Sequence, residues 1–168
     1  MNPKKIVMGI IVLAVFWVFQ AGYLSSLGTA EWFVGAVVLS ILMAITGKFV
    51  IPKSEPAVAQ LWQFAMAFVI VSAALISFAM PALGAQIAGV TPGQITAMNV
   101  SMWLVVFGAA MVATGSEVKK PAAKLVGFLW LFSAIPLVAS PLGAANAYLH
   151  LGLVVGLTFI LGGLTIKD

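Results

Sequence analysis

The side chains of this chain that could do chemistry are few, and the most notable is the one histidine, His150. It lies well inside an apolar segment that runs from Pro141 to Ile166, which is long enough to cross a bilayer as a helix. An ionisable group at that depth is costly and by default marks a solute or proton pathway. The alternative is a neutral imidazole that bonds a neighbouring helix. Asn146 lies four residues earlier, so a continuous helix would place both on one face.

Uncharged polar residues also occur within the other predicted spans. Together with His150 and Asn146 they could line a hydrophilic passage for a small polar solute, although each of them taken alone is more often a contact between helices or an interfacial residue. These further candidates are Gln20, Ser72, Asn99 and Ser133. The four acidic residues, in contrast, stand at span ends or in loops, which argues against a carboxylate proton relay.

Signatures of catalysis are not found in the sequence. It has no cysteine, one histidine and four acids, so we expect no metal site. It also lacks paired histidines for haem and a glycine loop for phosphate, so we expect no cofactor and no enzyme that acts alone. The basic pI near 9.6 is explained by lysines at helix ends and implies no nucleic-acid partner.

Composition predicts an all-α integral membrane protein. Hydrophobic residues make up 63% of the chain and charged residues 7%, against roughly 25% charged in a soluble domain. A span needs about 20 apolar residues. Six such runs predict a single six-helix membrane domain over residues 1–168, with helices at 6–24, 31–50, 57–80, 92–115, 121–139 and 141–166. Thr91 to Gln94 reads as a capping box at the fourth helix, and Pro136 predicts a kink in the fifth.

The lysines predict the topology. With six crossings, every lysine falls on one side of the membrane, which by the positive-inside rule is the cytoplasm. They are Lys4, Lys5, Lys48, Lys53, Lys119, Lys120, Lys124 and Lys167. We therefore expect a multi-pass protein of the cell membrane with both termini in the cytoplasm.

Glycine and tryptophan suggest how the helices pack. Gly152 and Gly156 form a small-residue pair that permits close approach by another helix. Most of the five tryptophans fall near predicted helix ends, as in an interfacial aromatic belt, whereas Trp17 is deeper and is expected in the core or at a pore.

Three short stretches in the second half carry a family resemblance: Met80-Pro81-Ala-Leu-Gly84, Trp103-Leu-Val-Val-Phe107-Gly108 and Gly143-Ala-Ala-Asn146-Ala-Tyr-Leu-His150-Leu-Gly152. With Asn2-Pro3 at the start, the chain resembles the acetate uptake transporter (succinate-acetate permease) family, although Lys4 and Lys5 replace that family's Pro-Leu-Gly continuation. The resemblance implies a six-helix bundle with a passage for a small monocarboxylate in each protomer, assembled as a ring, commonly a hexamer. It also implies an apolar constriction, which by position would be Ile10, Phe64 and Phe68.

Two functions follow as hypotheses. The first is a small-solute channel or transporter for acetate or a similar monocarboxylate, with urea or amide channels as a variant of the same architecture. The alternative is a non-catalytic accessory subunit of a larger membrane enzyme complex of the oxidase or oxygenase type, since little chain lies outside the predicted spans. The expected partners are the lipid bilayer, a small solute, and either further copies of the chain or partner membrane subunits.

Overall fold

The computed structural model describes residues 2–50, 56–79 and 91–165, which form helices joined by turns and contain no strand. The helices are α1 (Pro3–Gln20), α2 (Ala30–Val50), α3 (Pro56–Ala74), α4 (Pro92–Glu117), α5 (Pro121–Ser133), α6 (Ile135–Ala139), α7 (Pro141–Ala145) and α8 (Ala147–Thr165). A 3-10 turn lies at Ser25–Leu27, and a π-helical turn, Leu75–Ala79, extends α3. The all-helical class predicted from composition is confirmed for this part of the chain.

Several helices have the length and composition of membrane spans. Five segments are long and apolar enough to cross a bilayer: Pro3–Gln20, Pro56–Phe78, Pro92–Glu117, Pro121–Ala139 and Ala147–Leu164. In α2 the apolar stretch Ala30–Ile45 is shorter than each of these five segments. Large apolar side chains cover the outside of the bundle, as a lipid-facing surface requires, and Phe64 and Leu142 are 72% and 77% exposed. These helices indicate a multi-pass membrane protein.

Two helix starts show why the chain folds locally as it does. The Asn2 side chain accepts hydrogen bonds from the backbone N–H groups of Lys4 and Lys5, so α1 begins at Pro3 and not at the predicted residue 6. At the start of α4, the backbone N–H of Thr91 donates to Gln94 Oε1 at 2.8 Å, and Gln94 N–H donates to Thr91 Oγ1 at 3.3 Å. The predicted capping box is therefore confirmed.

Two of the predicted helices are interrupted. The fifth breaks at Ala134, two residues before Pro136, where the proline predicts a kink. The last predicted helix, residues 141–166, was expected to be continuous, and that expectation is wrong: it breaks at Asn146, whose amide donates to Leu142 O at 3.0 Å. Asparagine competes in this way with the helical hydrogen bonds of the backbone. Residue 80, the predicted end of the third helix, and residue 166 lie outside the described residues.

Glycines allow two antiparallel helix pairs to pack closely. A Cβ added at Gly9 of α1 would lie 2.5 Å from the carbonyl oxygen of Gly156 in α8. A Cβ added at Gly152 would lie 3.1 Å from Phe16 Cβ. Gly152 and Gly156, expected to permit close packing, do lie against α1. In the second pair, a Cβ at Gly108 of α4 would lie 2.9 Å from the carbonyl oxygen of Gly127 in α5.

The bundle has two chemically different ends. At what we call the distal end, Gln20 at the end of α1 donates to Ala145 O at 2.9 Å. The start of α4 lies at the same end, because Gly93 approaches the carbonyl of Ala144. The opposite ends of α1 and α4 therefore lie together, and they carry the described lysines of the first helix and of the α4–α5 turn: Lys4, Lys5, Lys119, Lys120 and Lys124. We call this the lysine end; Lys53 and Lys167 lie outside the described residues.

The tryptophans lie mainly in the core. The aromatic-belt expectation is wrong for Trp32, Trp62, Trp103 and Trp130, which are 8%, 7%, 0% and 0% exposed. Trp17, expected in the core or at a pore, is 57% exposed. Tryptophan can be buried when its ring packs and its N–H finds an acceptor.

Three of the four buried indoles find that acceptor on a threonine of a neighbouring helix. Trp32 Nε1 donates to Thr96 Oγ1 at 2.9 Å, and Trp62 Nε1 donates to Thr114 Oγ1 at 2.9 Å. In the same way, Trp130 Nε1 donates to Thr158 Oγ1 at 3.2 Å. These pairs join α2 and α3 to α4, and α5 to α8.

Candidate functional site

Two of the predicted lining residues satisfy their hydroxyls within their own helices. Ser72 Oγ donates to Phe68 O at 2.7 Å, and Ser133 Oγ donates to Trp130 O at 2.8 Å. Serine in a helix commonly bonds a carbonyl of the preceding turn in this way. Neither hydroxyl needs a solute as its partner.

His150 makes a contact between helices. Its Nε2 lies 2.8 Å from the carbonyl oxygen of Ser133, the last residue of α5. A carbonyl at a helix C-terminus lacks an intrahelical donor, so an imidazole that carries its proton on Nε2 satisfies it. The side chain of Asn146 bonds Leu142 O instead, so the two polar residues have separate partners. This geometry is the one expected of the packing interpretation of His150.

Gln20 connects α1 to the break between α7 and α8. Its Nε2 donates to Ala145 O at 2.9 Å, and its Oε1 accepts from the backbone N–H of Leu149 at 3.2 Å. Both backbone groups flank Asn146, where helical hydrogen bonds are interrupted. Gln20 thus completes the hydrogen bonding of the broken helix.

The three residues assigned by position to a constriction lie on the outer surface. Ile10, Phe64 and Phe68 are 54%, 72% and 46% exposed. The packing of a single chain does not enclose a passage with them. They are available to lipid or to a neighbouring subunit.

Asn99 is the predicted lining residue that has an unusual environment. It is 1% exposed, and neither its Oδ1 nor its Nδ2 has a hydrogen-bond partner within the described residues. One turn further along α4, Trp103 is 0% exposed and its Nε1 also has no partner there. Each buried polar group left unpaired costs about 1–3 kcal/mol. Asn99 lies about 10 Å along α4 from its distal start, so both groups are well inside the bundle.

A third polar group lies in the same region. The hydroxyl of Tyr148, near the start of α8, is buried without a partner in the described part of the chain. The Tyr148 ring packs against Phe19 and Phe16, with centroids 5.2 and 6.3 Å apart. A Cβ added at Gly35 would lie 3.1 Å from Trp103 Cη2 and 3.4 Å from Phe19 Cε1. Four helices, α1, α2, α4 and α8, therefore meet here.

We call Asn99, Trp103 and Tyr148 the buried polar layer. The acidic residue next to this layer along α2 is Glu31, one turn before Gly35. The described lysines lie at the opposite end of the bundle. The hydroxyls of Ser40 on α2 and Ser77 at the end of α3 are likewise buried and unpartnered among the described residues.

A cavity of about 720 Å³ lies at the distal end, between the start of α4 and the interrupted helices α6 and α7. Its walls include Gly93, Ala97, Leu137, Ser140 and Ala144. Ala97 is two residues before Asn99 on α4, so the cavity lies about 3 Å from Asn99 along the helix axis and against the other side of the helix. Its lining is mainly apolar, and Ser140 already accepts a hydrogen bond from Gly143 N–H.

Sequence reasoning found Asn99 but missed Trp103 and Tyr148. The available signal was the spacing of Asn99 and Trp103, which places both on one face of a helix. Tyr148 gave no comparable signal, because its neighbours on α1 are distant in sequence. Comparison of the chain with protein-family models, with curated proteins and with solved structures finds no match.

Proposed function

We propose that the chain is a six-span membrane protein that passes a small polar solute, with acetate or a similar monocarboxylate as the first substrate to test. The observation that carries this proposal is the half-open cavity lined by α4 and the interrupted helices α6 and α7. Interrupted helices at membrane depth occur where backbone lines a cavity or is buried in protein, and transporters use them to form solute sites.

The path for the solute begins at the distal cavity and continues toward the buried polar layer. The amide of Asn99, which has no partner among the described residues, supports this direction, because a polar solute in the membrane interior needs partners to replace its water. The closely packed Gly9–Gly156 and Gly108–Gly127 contacts, in contrast, leave no room for a solute between those helices.

The topology within this proposal is six crossings with both termini in the cytoplasm of the cell membrane. It is supported by the position of Lys4, Lys5, Lys119, Lys120 and Lys124 at one end of the bundle. Because the sequence has no cysteine, single cysteines report on it directly. A membrane-impermeant maleimide should label Ser25→Cys in intact cells and Lys120→Cys only after permeabilisation. Labelling of both, or of Lys120→Cys alone, in intact cells would contradict the topology.

Flux into liposomes tests the transport function. Purified protein is reconstituted, and vesicle swelling is followed by stopped-flow light scattering with acetate, acetamide, urea and glycerol. We expect at least one solute to enter faster than in protein-free vesicles. Rates equal to those of protein-free vesicles for the whole panel would count against transport.

The accessory-subunit function is the second candidate, and the outer face of α3 favours it. Phe64, Phe68 and Val71 are all exposed and share one side of the helix, which suits a partner subunit as well as lipid. Native mass spectrometry of the particle from its own membrane separates the two functions. A ring of identical chains, such as a hexamer, supports transport, whereas a foreign partner at fixed stoichiometry supports the subunit function.

A further inference from the structure

We propose that the buried polar layer, Asn99, Trp103 and Tyr148, binds an uncharged solute that carries a hydrogen-bond donor and acceptor side by side. Undissociated carboxylic acids and primary amides have this chemistry. The inference rests on the proposed function in that it names the chemical class of the transported solute.

The strongest argument is a comparison within the molecule. Where a buried indole has no further task, this fold supplies a threonine hydroxyl for its N–H, as it does for Trp32, Trp62 and Trp130. Trp103 is the exception, and it stands one turn from Asn99, whose amide also has no partner in the described part of the chain. Buried polar atoms without a hydrogen-bond partner are costly unless another molecule satisfies them.

The chemistry of the layer selects the kind of molecule. A primary amide such as that of Asn99 presents an N–H donor and a carbonyl acceptor, which pair with the complementary groups of an acid or an amide. Trp103 adds an N–H donor, and Tyr148 adds a hydroxyl that can donate or accept. The rings of Phe16 and Phe19 beside Tyr148 suit the small apolar remainder of such a solute.

Charge argues for the neutral form. The layer itself has no cationic side chain, and the described lysines lie at the other end of the bundle. Glu31, one turn before Gly35 on α2, offers an anion no counter-charge, and an ion without a counter-charge is costly in a buried site. The undissociated acid should therefore bind, and its carboxylate should not.

The first experiment measures selectivity in proteoliposomes with acetamide and N,N-dimethylacetamide, which lacks the N–H donor. Wild type should pass acetamide in preference to the dimethyl compound. Asn99→Leu should lower acetamide flux about tenfold, as expected for the loss of one hydrogen bond in a buried site. Ser72→Ala is the matched control, because that hydroxyl bonds only its own helix, and it should behave as wild type. Unchanged selectivity in Asn99→Leu would overturn the inference while transport stands.

The second experiment measures binding without flux. Acetamide should raise the melting temperature of wild type and of Ser72→Ala but not that of Asn99→Leu. Added acetate should stabilise the protein more as the pH falls through the pKa of acetic acid, whereas greater stabilisation at higher pH would overturn the preference for the neutral form. If acetamide binds but does not cross the proteoliposome membrane, the proposed transport function is refuted and the proposed binding site is supported.

The third measurement separates a solute site from a structural role. Asn99→Leu should melt above wild type without solute, because it removes an unpaired amide. Should that variant fold poorly, Trp103→Phe keeps a ring and removes the N–H. If Trp103→Phe also leaves acetamide binding and selectivity unchanged, the inference is overturned.

Discussion

The close contact between α1 and α8 yields the sharpest stability prediction, the substitution Gly9→Ala. The new Cβ would lie 2.5 Å from the carbonyl oxygen of Gly156, whereas ordinary van der Waals contact begins at 3.4 Å. The atom in its way is backbone, which cannot rotate aside as a side chain can. The helices must therefore separate by about 1 Å, which forfeits a quarter to a half of the attraction in each contact across the pair.

The magnitude follows from two opposing effects. Overpacking of this kind costs about 1–3 kcal/mol, while alanine favours a helix interior over glycine by about 1 kcal/mol. Gly162→Ala on α8 is the matched control, because nothing lies within 4 Å of its added Cβ. The control keeps the helix-propensity gain and avoids the clash. The difference between the two variants isolates the steric cost, about 1–3 kcal/mol.

Thermal unfolding in detergent, followed by circular dichroism, measures this difference. For a chain of this length, 1 kcal/mol corresponds to a shift of about 2–4 °C in melting temperature. Gly9→Ala should melt below Gly162→Ala by about 2–12 °C. Equal melting temperatures, or a higher one for Gly9→Ala, would refute the packing described for α1 and α8.

Three further predictions use the same assay. Gln20→Leu should lower the unfolding free energy by about 1–3 kcal/mol, because it leaves the two backbone groups at the α7–α8 break without their partner; an unchanged melting temperature would show that the contact is dispensable. Thr114→Val should lower the free energy of unfolding by about 1–3 kcal/mol, because it leaves the Trp62 N–H without its acceptor. If the Trp62 ring stays buried, the tryptophan fluorescence should not shift to longer wavelength. Lys119→Gly should raise the free energy of unfolding by about 0.5–1 kcal/mol, because Lys119 has a φ of 53°, a left-handed backbone conformation that glycine adopts without strain. Lys120→Gly is the control and should not stabilise the protein, because Lys120 has an ordinary φ of −105°.

Local sequence signals predicted the helices and several of their ends. Thr91 and Gln94 are three residues apart and form their capping box without help from the rest of the fold. Pro136 interrupts its helix through its own missing N–H and ring. For this reason, features that depend only on residues within one helical turn can be predicted from the sequence.

Features that depend on contacts between residues distant in sequence could not be predicted. The aromatic-belt prediction failed for Trp62 because its acceptor, Thr114, is 52 residues away on another helix. The break at Asn146 was missed because asparagine within an apolar run is also compatible with a continuous helix, and Gln20 of α1 completes the broken turn. The partner of His150, the carbonyl oxygen of Ser133, lies 17 residues away on another helix, so the sequence alone leaves both interpretations of this residue open.

The same distinction explains why Asn99 matters more than the other predicted lining residues. The hydroxyls of Ser72 and Ser133 donate to backbone carbonyls of the preceding turn of their own helices, so their presence in a span carries no functional information. Asn99 does not do so, because neither its Oδ1 nor its Nδ2 has a hydrogen-bond partner among the described residues. In a bundle that supplies hydroxyl partners to three of its buried indoles, Asn99 and Trp103 stand one turn apart without a partner among the described residues. That arrangement, and not the count of polar residues in the spans, is the physical reason to look for a solute at this layer.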